Sequence, residues 1–511
     1  MALSRRVKLA YGVGHVFNDL CASMWFTYLL VYLQYVLQLD RGLAGFLLLM
    51  GQVADAVSTP LIGLQSDRGC TFCTYGRRKS WHAIGTACVM FSFPFIFIVC
   101  GLCFAVLGFG YILILGFMIC LFQFGWAATQ VSHLALIPDL TDVEAERDEL
   151  NIIRYIFDVC SDVLVYLVAW ITFAEDSPLS SRFIDPGDAH NFKIITITVM
   201  VVGTIFSVIF HVYTPEDGSR TSRRRTQSYQ QLSTGPELQA TSSSSEPAAE
   251  VLEASQREPL LDGAHMLWRD WLSEPQFYQV TLLYGCARLV ANLSNIYMPI
   301  YLQETIHAKQ ELIAVVPLVM SLSSVGSSFL LRALRKAVGK KASVVVGIVI
   351  GLVACTVSAL PWMPLWGLFS VAVLWGVSGS LLVIISLAFT ADLIGRNTDS
   401  SAFVYGSMSF GDKIVNGFAV LIIQELTRVE CIDGNCATYY RHVMSLGIFV
   451  PLMVAFVAIC LLSREQLGRT RKLVQARLEQ GTSGSGSLSS NSSELLLSTG
   501  TNLGYGTVTK A

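Results

Sequence analysis

Charge is what this sequence has least of. Only 14% of its 511 residues are Asp, Glu, Lys or Arg, against about 25% in ordinary globular domains. That shortfall excludes a water-soluble fold with a normal polar surface. The two signs nearly cancel, leaving a net charge of −2, so there is no basic face to attract nucleic acid. No glycine-rich phosphate loop, nucleophile–base arrangement or clustered metal-ligand motif occurs. Cys70-x-x-Cys73 stands without the second pair that a zinc site needs. Enzymatic chemistry, a cofactor and a metal are therefore not expected. A cleavable leader is not expected either, because the first apolar run is too long and continues straight into the rest.

What fills the space is apolar: 53% of residues are hydrophobic and the mean hydropathy is +0.54. A helix needs roughly 20 apolar residues to cross a bilayer. Runs of that kind fall near Leu9–Leu37, Ala44–Leu64, Trp81–Leu107, Ile112–Ile137, Leu150–Phe173 and Phe192–Tyr213. A second set falls near Val280–Leu302, Ile313–Leu331, Ala342–Leu360, Trp366–Phe389, Ala402–Gln424 and Val443–Leu462. The predicted fold is an all-α membrane protein of twelve transmembrane helices in two six-helix halves. Lys and Arg cluster before the first span, after the second and eighth, and after the twelfth, which places both termini in the cytosol. The segments divide as an N-terminal half (1–213), a linker expected to be disordered (214–263), an interfacial helix (264–279), a C-terminal half (280–463) and a flexible tail (464–511). Of the 13 cysteines, Cys431 and Cys436 share a loop on the non-cytosolic side and are the disulfide candidate.

The halves repeat. Tyr11-Gly12, His15 and Asp19-Leu20 return 273 positions later as Tyr284-Gly285, Arg288 and Asn292-Leu293. The basic elbow Gly76-Arg77-Arg78-Lys79 returns as Gly339-Lys340-Lys341, and Leu134-Ala135 with Asp139-Leu140 returns as Leu387-Ala388 with Asp392-Leu393. Equivalent spans keep one orientation because six spans separate them, so this is a parallel six-helix repeat.

Ionisable groups inside spans are costly and mark function by default. His15 and Asp19 lie one turn apart on one face of span 1. Asp55 is midway along span 2, Gln130 and His133 in span 4, Arg154 and Asp158 in span 5, Arg288 in span 7, and Asp412-Lys413 in span 11. Carboxylates of spans 1, 2 and 5 are expected to meet cations of spans 5, 7 and 11. These residues either hold the halves together as structural ion pairs or line a ligand cavity. In the elbows, Asp139 and Glu146 are expected to pair with Arg77 or Arg78, and Asp392 with Lys340 or Lys341, as latches that can open.

Asp55-Ala56, Pro60 and Gly63, followed by Gly76-Arg77-Arg78-Lys79 and Trp81, resemble the signature loop of the major facilitator superfamily in its glycoside–pentoside–hexuronide:cation symporter branch. The resemblance implies that Asp19 and Arg154 touch substrate and that Asp55 and Lys413 sit at or near a cation site. Thr59 stands where the branch has its second carboxylate, and Gln130 where it has a sugar-binding aspartate, which weakens a sodium-plus-sugar reading. Longer strings, Asn18–Tyr28, Gln123–Ala127 and Ala402–Phe410, are similar to a group within the superfamily that imports cysteine into lysosomes and melanosomes. That resemblance implies a cytosol-to-lumen cysteine carrier whose partners are its substrate, the bilayer and clathrin-adaptor sorting machinery. For a zwitterion such as cysteine, Arg154 or Lys413 would take the carboxylate and Asp19 or Asp55 the ammonium group, with His15 and His133 as proton candidates. Tyr505 and Val508 resemble a tyrosine-based lysosomal signal, with Tyr229 and the Leu260-Leu261 pair as further candidates. The alternatives are a cation-coupled carrier of a sugar, another amino acid or a lysolipid, and a membrane scaffold that transports nothing.

Overall fold

The computed structural model describes residues 3–68, 75–98, 108–141, 143–175, 183–216, 266, 268–395, 400–431 and 436–463. Every regular element among them is helical, as low-dielectric surroundings demand of backbone that must satisfy its own hydrogen bonds. In the first half these are α1 (Arg5–Val36), α2 (Arg41–Arg68), α3 (Arg77–Phe97), α4 (Phe109–Leu140), α5 (Glu144–Glu175) and α6 (Ala189–Tyr213). The second half has α7 (Pro275–Glu304), then one rod, Gln310–Ser358, broken at Gly339 into two arms, α8 and α9. It closes with α10 (Leu365–Ile394), α11 (Ser401–Glu430) and α12 (Ala437–Leu462).

Nine helices among the described residues are long and apolar enough to cross a membrane, counting the broken rod once. Two more, α7 and α11, run 30 residues each and carry Arg288 and the Asp412-Lys413 pair. Large apolar side chains such as Phe109, Phe117 and Phe329 stay exposed on the outside, which a protein surrounded by hydrocarbon tolerates and a water-soluble monomer does not. This is a multi-pass membrane protein.

Both elbows turn on glycine. Gly76 has φ +117° and Gly339 has φ +82°, a region where a side chain is strained, and these two glycines are equivalent in the repeat. α1 is the most enclosed rod, with 89% of its apolar window buried; its Tyr28 and the repeat-equivalent Tyr301 of α7 are both fully buried. A 3₁₀ turn at Val13–His15 interrupts α1 beside its charged residues, the kind of irregularity that often marks a functional hinge. The halves meet where α1 packs on α7, α2 on α11 and α5 on α8.

One expected element behaves differently. The short helix Trp268–Leu272 forms, but Trp271 turns into the protein rather than outward: it is fully buried and its Nε1 donates to Ser400 Oγ at 2.7 Å. A buried indole N–H ordinarily finds such an acceptor. Trp268, Arg269 and Leu272 remain outside.

Within the first half, α3 and α4 approach through facing glycines. A Cβ on Gly85 would lie 2.7 Å from the Gly125 carbonyl, and one on Gly125 2.8 Å from the Gly85 carbonyl. Small residues allow this close backbone contact. Gly125→Leu is expected to cost about 1–3 kcal/mol by overpacking, read as a lower unfolding temperature of the detergent-purified protein; an unshifted transition would show that the helices can part freely.

Candidate functional site

Between the halves lies a cavity of about 300 Å³. Its first-half wall is α5, through Tyr155, Asp158, Asp162 and Tyr166. Facing it are Arg288 and Asn295 of α7, Ser321 and Ser324 of α8, and Trp375 of α10. Two carboxyl side chains line one wall and a guanidinium the other. Asp162 is the residue that the sequence reading missed, although a second carboxylate one turn after Asp158 in an apolar helix was the available signal. It accepts hydrogen bonds from Ser23 Oγ of α1 and from Ser321 Oγ of α8, the latter at 2.9 Å. One carboxylate thus joins α1 to the opposite half.

Asp158 also adjoins Asp19 closely enough for their carboxyls to interact. Asp19 Oδ1 lies 2.5 Å from His15 Nδ1, and Arg154 approaches the same nitrogen at 3.4 Å. The sequence-predicted residues of spans 1 and 5 therefore form one cluster, of which only Asp158 lines the cavity. His133 stacks on Tyr11 with ring centroids 4.2 Å apart, and its Nε2 lies 2.8 Å from the Tyr11 carbonyl. His82 of α3, not singled out by sequence, lies 5.9 Å from His133 between ring centroids. Gln130 accepts from Trp126 Nε1 at 2.9 Å.

Asp55 and Lys413 pair across the halves. Lys413 Nζ sits 2.6 Å from Asp55 Oδ2 and donates to Thr59 Oγ1 at 3.0 Å, while Thr59 donates to Asp55 Oδ1 at 3.0 Å. Both oxygens of the acid are engaged. Arg288 departs from expectation: its Nε pairs at 3.3 Å with Asp412 of α11 rather than with a carboxylate of spans 1, 2 or 5. Asp412 is the nearer carboxylate because α7 and α11 pack together within one half.

In the elbows, Asp139 lies 3.7 Å from both Arg77 and Arg78. Glu146 instead pairs with Lys8 at 3.4 Å and accepts from Thr141 at 2.6 Å, because the start of α5 faces α1. Asp392 takes Lys340, at 2.6 and 2.7 Å, while Lys341 donates to the Leu462 carbonyl at 3.2 Å. These contacts brace each half internally. Links between halves gather at the other end: Gln34 to Gln424 at 2.7 Å, Tyr35 to Glu304 at 2.7 Å, and Arg428 to Asp40 at 2.6 Å. The hydrogen bond from Arg428 holds the Asp40 carboxyl below its ordinary range. That pair stabilises the closed end above the carboxylate range and is lost as pH falls through the lowered value; being exposed, it contributes at most about 1 kcal/mol. Cys431 and Cys436, at the same end, are joined as a disulfide with Cα atoms 4.8 Å apart. Tyr505, Val508, Tyr229, Leu260 and Leu261 lie outside the described residues.

Comparison with known proteins fits this architecture. The chain is 41% identical over 460 residues to the Homo sapiens protein called major facilitator superfamily domain-containing protein 12, spanning 86% of this chain and 90% of that one. The chain belongs to the major facilitator superfamily. The Mus musculus protein of the same name is 40% identical over 470 residues, covering 90% of this chain and 93% of its own. Superfamily models described as MFS/sugar transport protein and Major Facilitator Superfamily match residues 10–249 and 178–419. Among solved superfamily structures, a D-xylose-proton symporter superposes with TM-score 0.61 at 12% identity, covering 89% of this chain and 96% of that one. The nucleoside transporter NupG gives 0.57 at 12% identity over 89% and 98%. As a member of this superfamily, the chain is a secondary transporter.

Removing one partner of a buried ion pair costs about 3–5 kcal/mol, because the other charge is left uncompensated. Lys413→Ala is accordingly expected to lower the unfolding temperature sharply, while the neutral pair Asp55→Asn with Lys413→Gln recovers most of the loss. Wild-type stability of Lys413→Ala would show that the seam does not depend on this pair.

Proposed function

We propose that this protein is a twelve-helix secondary transporter, with both termini in the cytosol, that carries cysteine from the cytosol into lysosomes and melanosomes by alternating access. The observation that carries the reading is the opposed charge across the central cavity. An α-amino acid presents an ammonium group and a carboxylate a few ångströms apart. Asp158 and Asp162 on α5 suit the first, and Arg288 on α7 suits the second, as a guanidinium binds carboxylate through paired donors. At about 300 Å³ the space is at the small end of ligand pockets. It accommodates an amino acid more readily than the acyl chain of a lysolipid, and its charges are more than a neutral sugar requires.

With the termini in the cytosol, the contacts of Gln34, Tyr35 and Asp40 seal the luminal end, so this arrangement corresponds to loading from the cytosol. Rocking the halves would break those contacts and open the cavity to the lumen. The elbow pairs, each confined to one half, would travel with it. The cluster of His15, Asp19 and Arg154 reaches the cavity through Asp158 and is the second candidate for binding substrate or a proton.

Uptake of labelled cysteine into vesicles bearing the protein, with sugars, other amino acids and lysolipids as competitors, tests the substrate. Arg288→Lys is expected to lose at least ten-fold in uptake at unchanged protein level, since an ammonium cannot reproduce the paired donors. If Arg154→Lys loses uptake while Arg288→Lys does not, the carboxylate site lies in the α1–α5 cluster instead. Failure of cysteine to enter, with a competitor transported, would overturn the substrate.

For the address, changing Tyr505, Tyr229, Leu260 and Leu261 together to alanine is expected to move protein to the cell surface, seen by surface labelling. Complete retention in lysosomes would remove these segments as the signal.

A further inference from the structure

We propose that the cleft at the break between α8 and α9 is a binding site for a phosphate-bearing anion. It has a volume of about 650 Å³ and is lined by Ser328, Arg332, Arg335 and Lys336 of α8, with Gly339 and Lys340 at the break. Positions 328, 332 and 335 share one helix face, and 336 lies beside them. Like charges three and four residues apart on a helix repel one another, so this row is unfavourable unless something negative lies against it. Lys340 is answered by Asp392. Among the described residues, no carboxylate pairs with Arg332, Arg335 or Lys336.

The other elbow of the repeat answers the counterparts of Lys340 and Lys341 in the same way as Asp392 answers Lys340. There Arg77 and Arg78 face Asp139, and the Arg78 and Lys79 backbone amides donate to Glu216 at 2.8 Å each. Topology and the helix C-terminus both favour cations at such a position. Neither requires Arg332, Arg335 and Lys336 to converge on one open cleft with no carboxylate paired to them among the described residues. A cleft lined by one sign concentrates counter-ions, and two guanidiniums flanked by ammonium groups match clustered phosphate oxygens. The exposed Phe329 and Leu330 on the same turn place the cleft beside lipid, so the phosphate can arrive on a lipid headgroup or on a soluble polyphosphate.

Two titrations of the purified full-length chain distinguish the sources, and neither depends on the transport reading. In one, inositol hexakisphosphate is added to protein in neutral detergent and followed by thermophoresis. In the other, detergent micelles are doped with a phosphatidylinositol phosphate or with phosphatidylcholine, and the unfolding temperature is measured. Saturable binding in at least one arm is expected, weakened ten-fold or more in Arg332→Gln with Arg335→Gln, and weakened by salt as exposed charges are screened. Arg332→Lys with Arg335→Lys should keep part of the affinity, and Arg5→Gln, on the same side of the protein, all of it. Response to the soluble probe alone assigns a free anion, and response to the lipid alone assigns a headgroup. No binding in either arm, or equal binding by the glutamine variant, overturns the site.

Discussion

A charge inside a membrane-embedded bundle must find an opposite charge, because leaving it alone in low dielectric costs several kcal/mol. In this protein that constraint determines how the two halves face one another. Asp55 on α2 is answered by Lys413 on α11, and Thr59 completes the contact from both sides. The seam is consequently polar where the outside of the bundle is apolar. A seam of ion pairs and serine hydroxyls can part and re-form; interdigitated large side chains resist such motion. Fully buried aromatics lie in both halves, Trp25, Tyr28 and Phe93 in the first and Tyr297, Tyr301 and Trp375 in the second, and the apolar core is continuous between them.

The two ends of the seam differ. At the end carrying the elbows, Asp139 with Arg77 and Arg78, and Asp392 with Lys340, each close one half upon itself. At the opposite end, Gln34, Tyr35, Asp40 and Ile184 reach across to Gln424, Glu304, Arg428 and Gln303. Further cross-half contacts lie away from that end, at Asp55–Lys413, Asp162–Ser321 and Tyr155–Ser328. Asp162, holding Ser23 on its own side and Ser321 on the other, is the point where contents of the cavity and contact between halves are chemically the same event.

Much of this was legible in the residues. The apolar runs marked the helices, and Gly76 and Gly339 marked the elbows, because a positive φ is a local property of one residue. The repeat located Arg288 opposite His15. Less legible was which charge meets which. Arg288 went to Asp412, a helix-neighbour in the same half, and Glu146 went to Lys8. Asp392 took Lys340 in preference to the adjacent Lys341. Asp158 and Asp162 became the cavity wall while Arg154, four residues before Asp158, turned toward His15.

The sequence by itself determined the helical class, the two-fold repeat, the turning points and the set of ionisable residues available to a site. Those follow from hydropathy, period and backbone conformation, each readable within some twenty residues. Only the tertiary structure decided the partners. A step of one residue turns a side chain about 100° around the helix axis, and ion pairs form only within about 4 Å. Pairing therefore depends on the tilt and rotation of helices that are packed far apart in sequence.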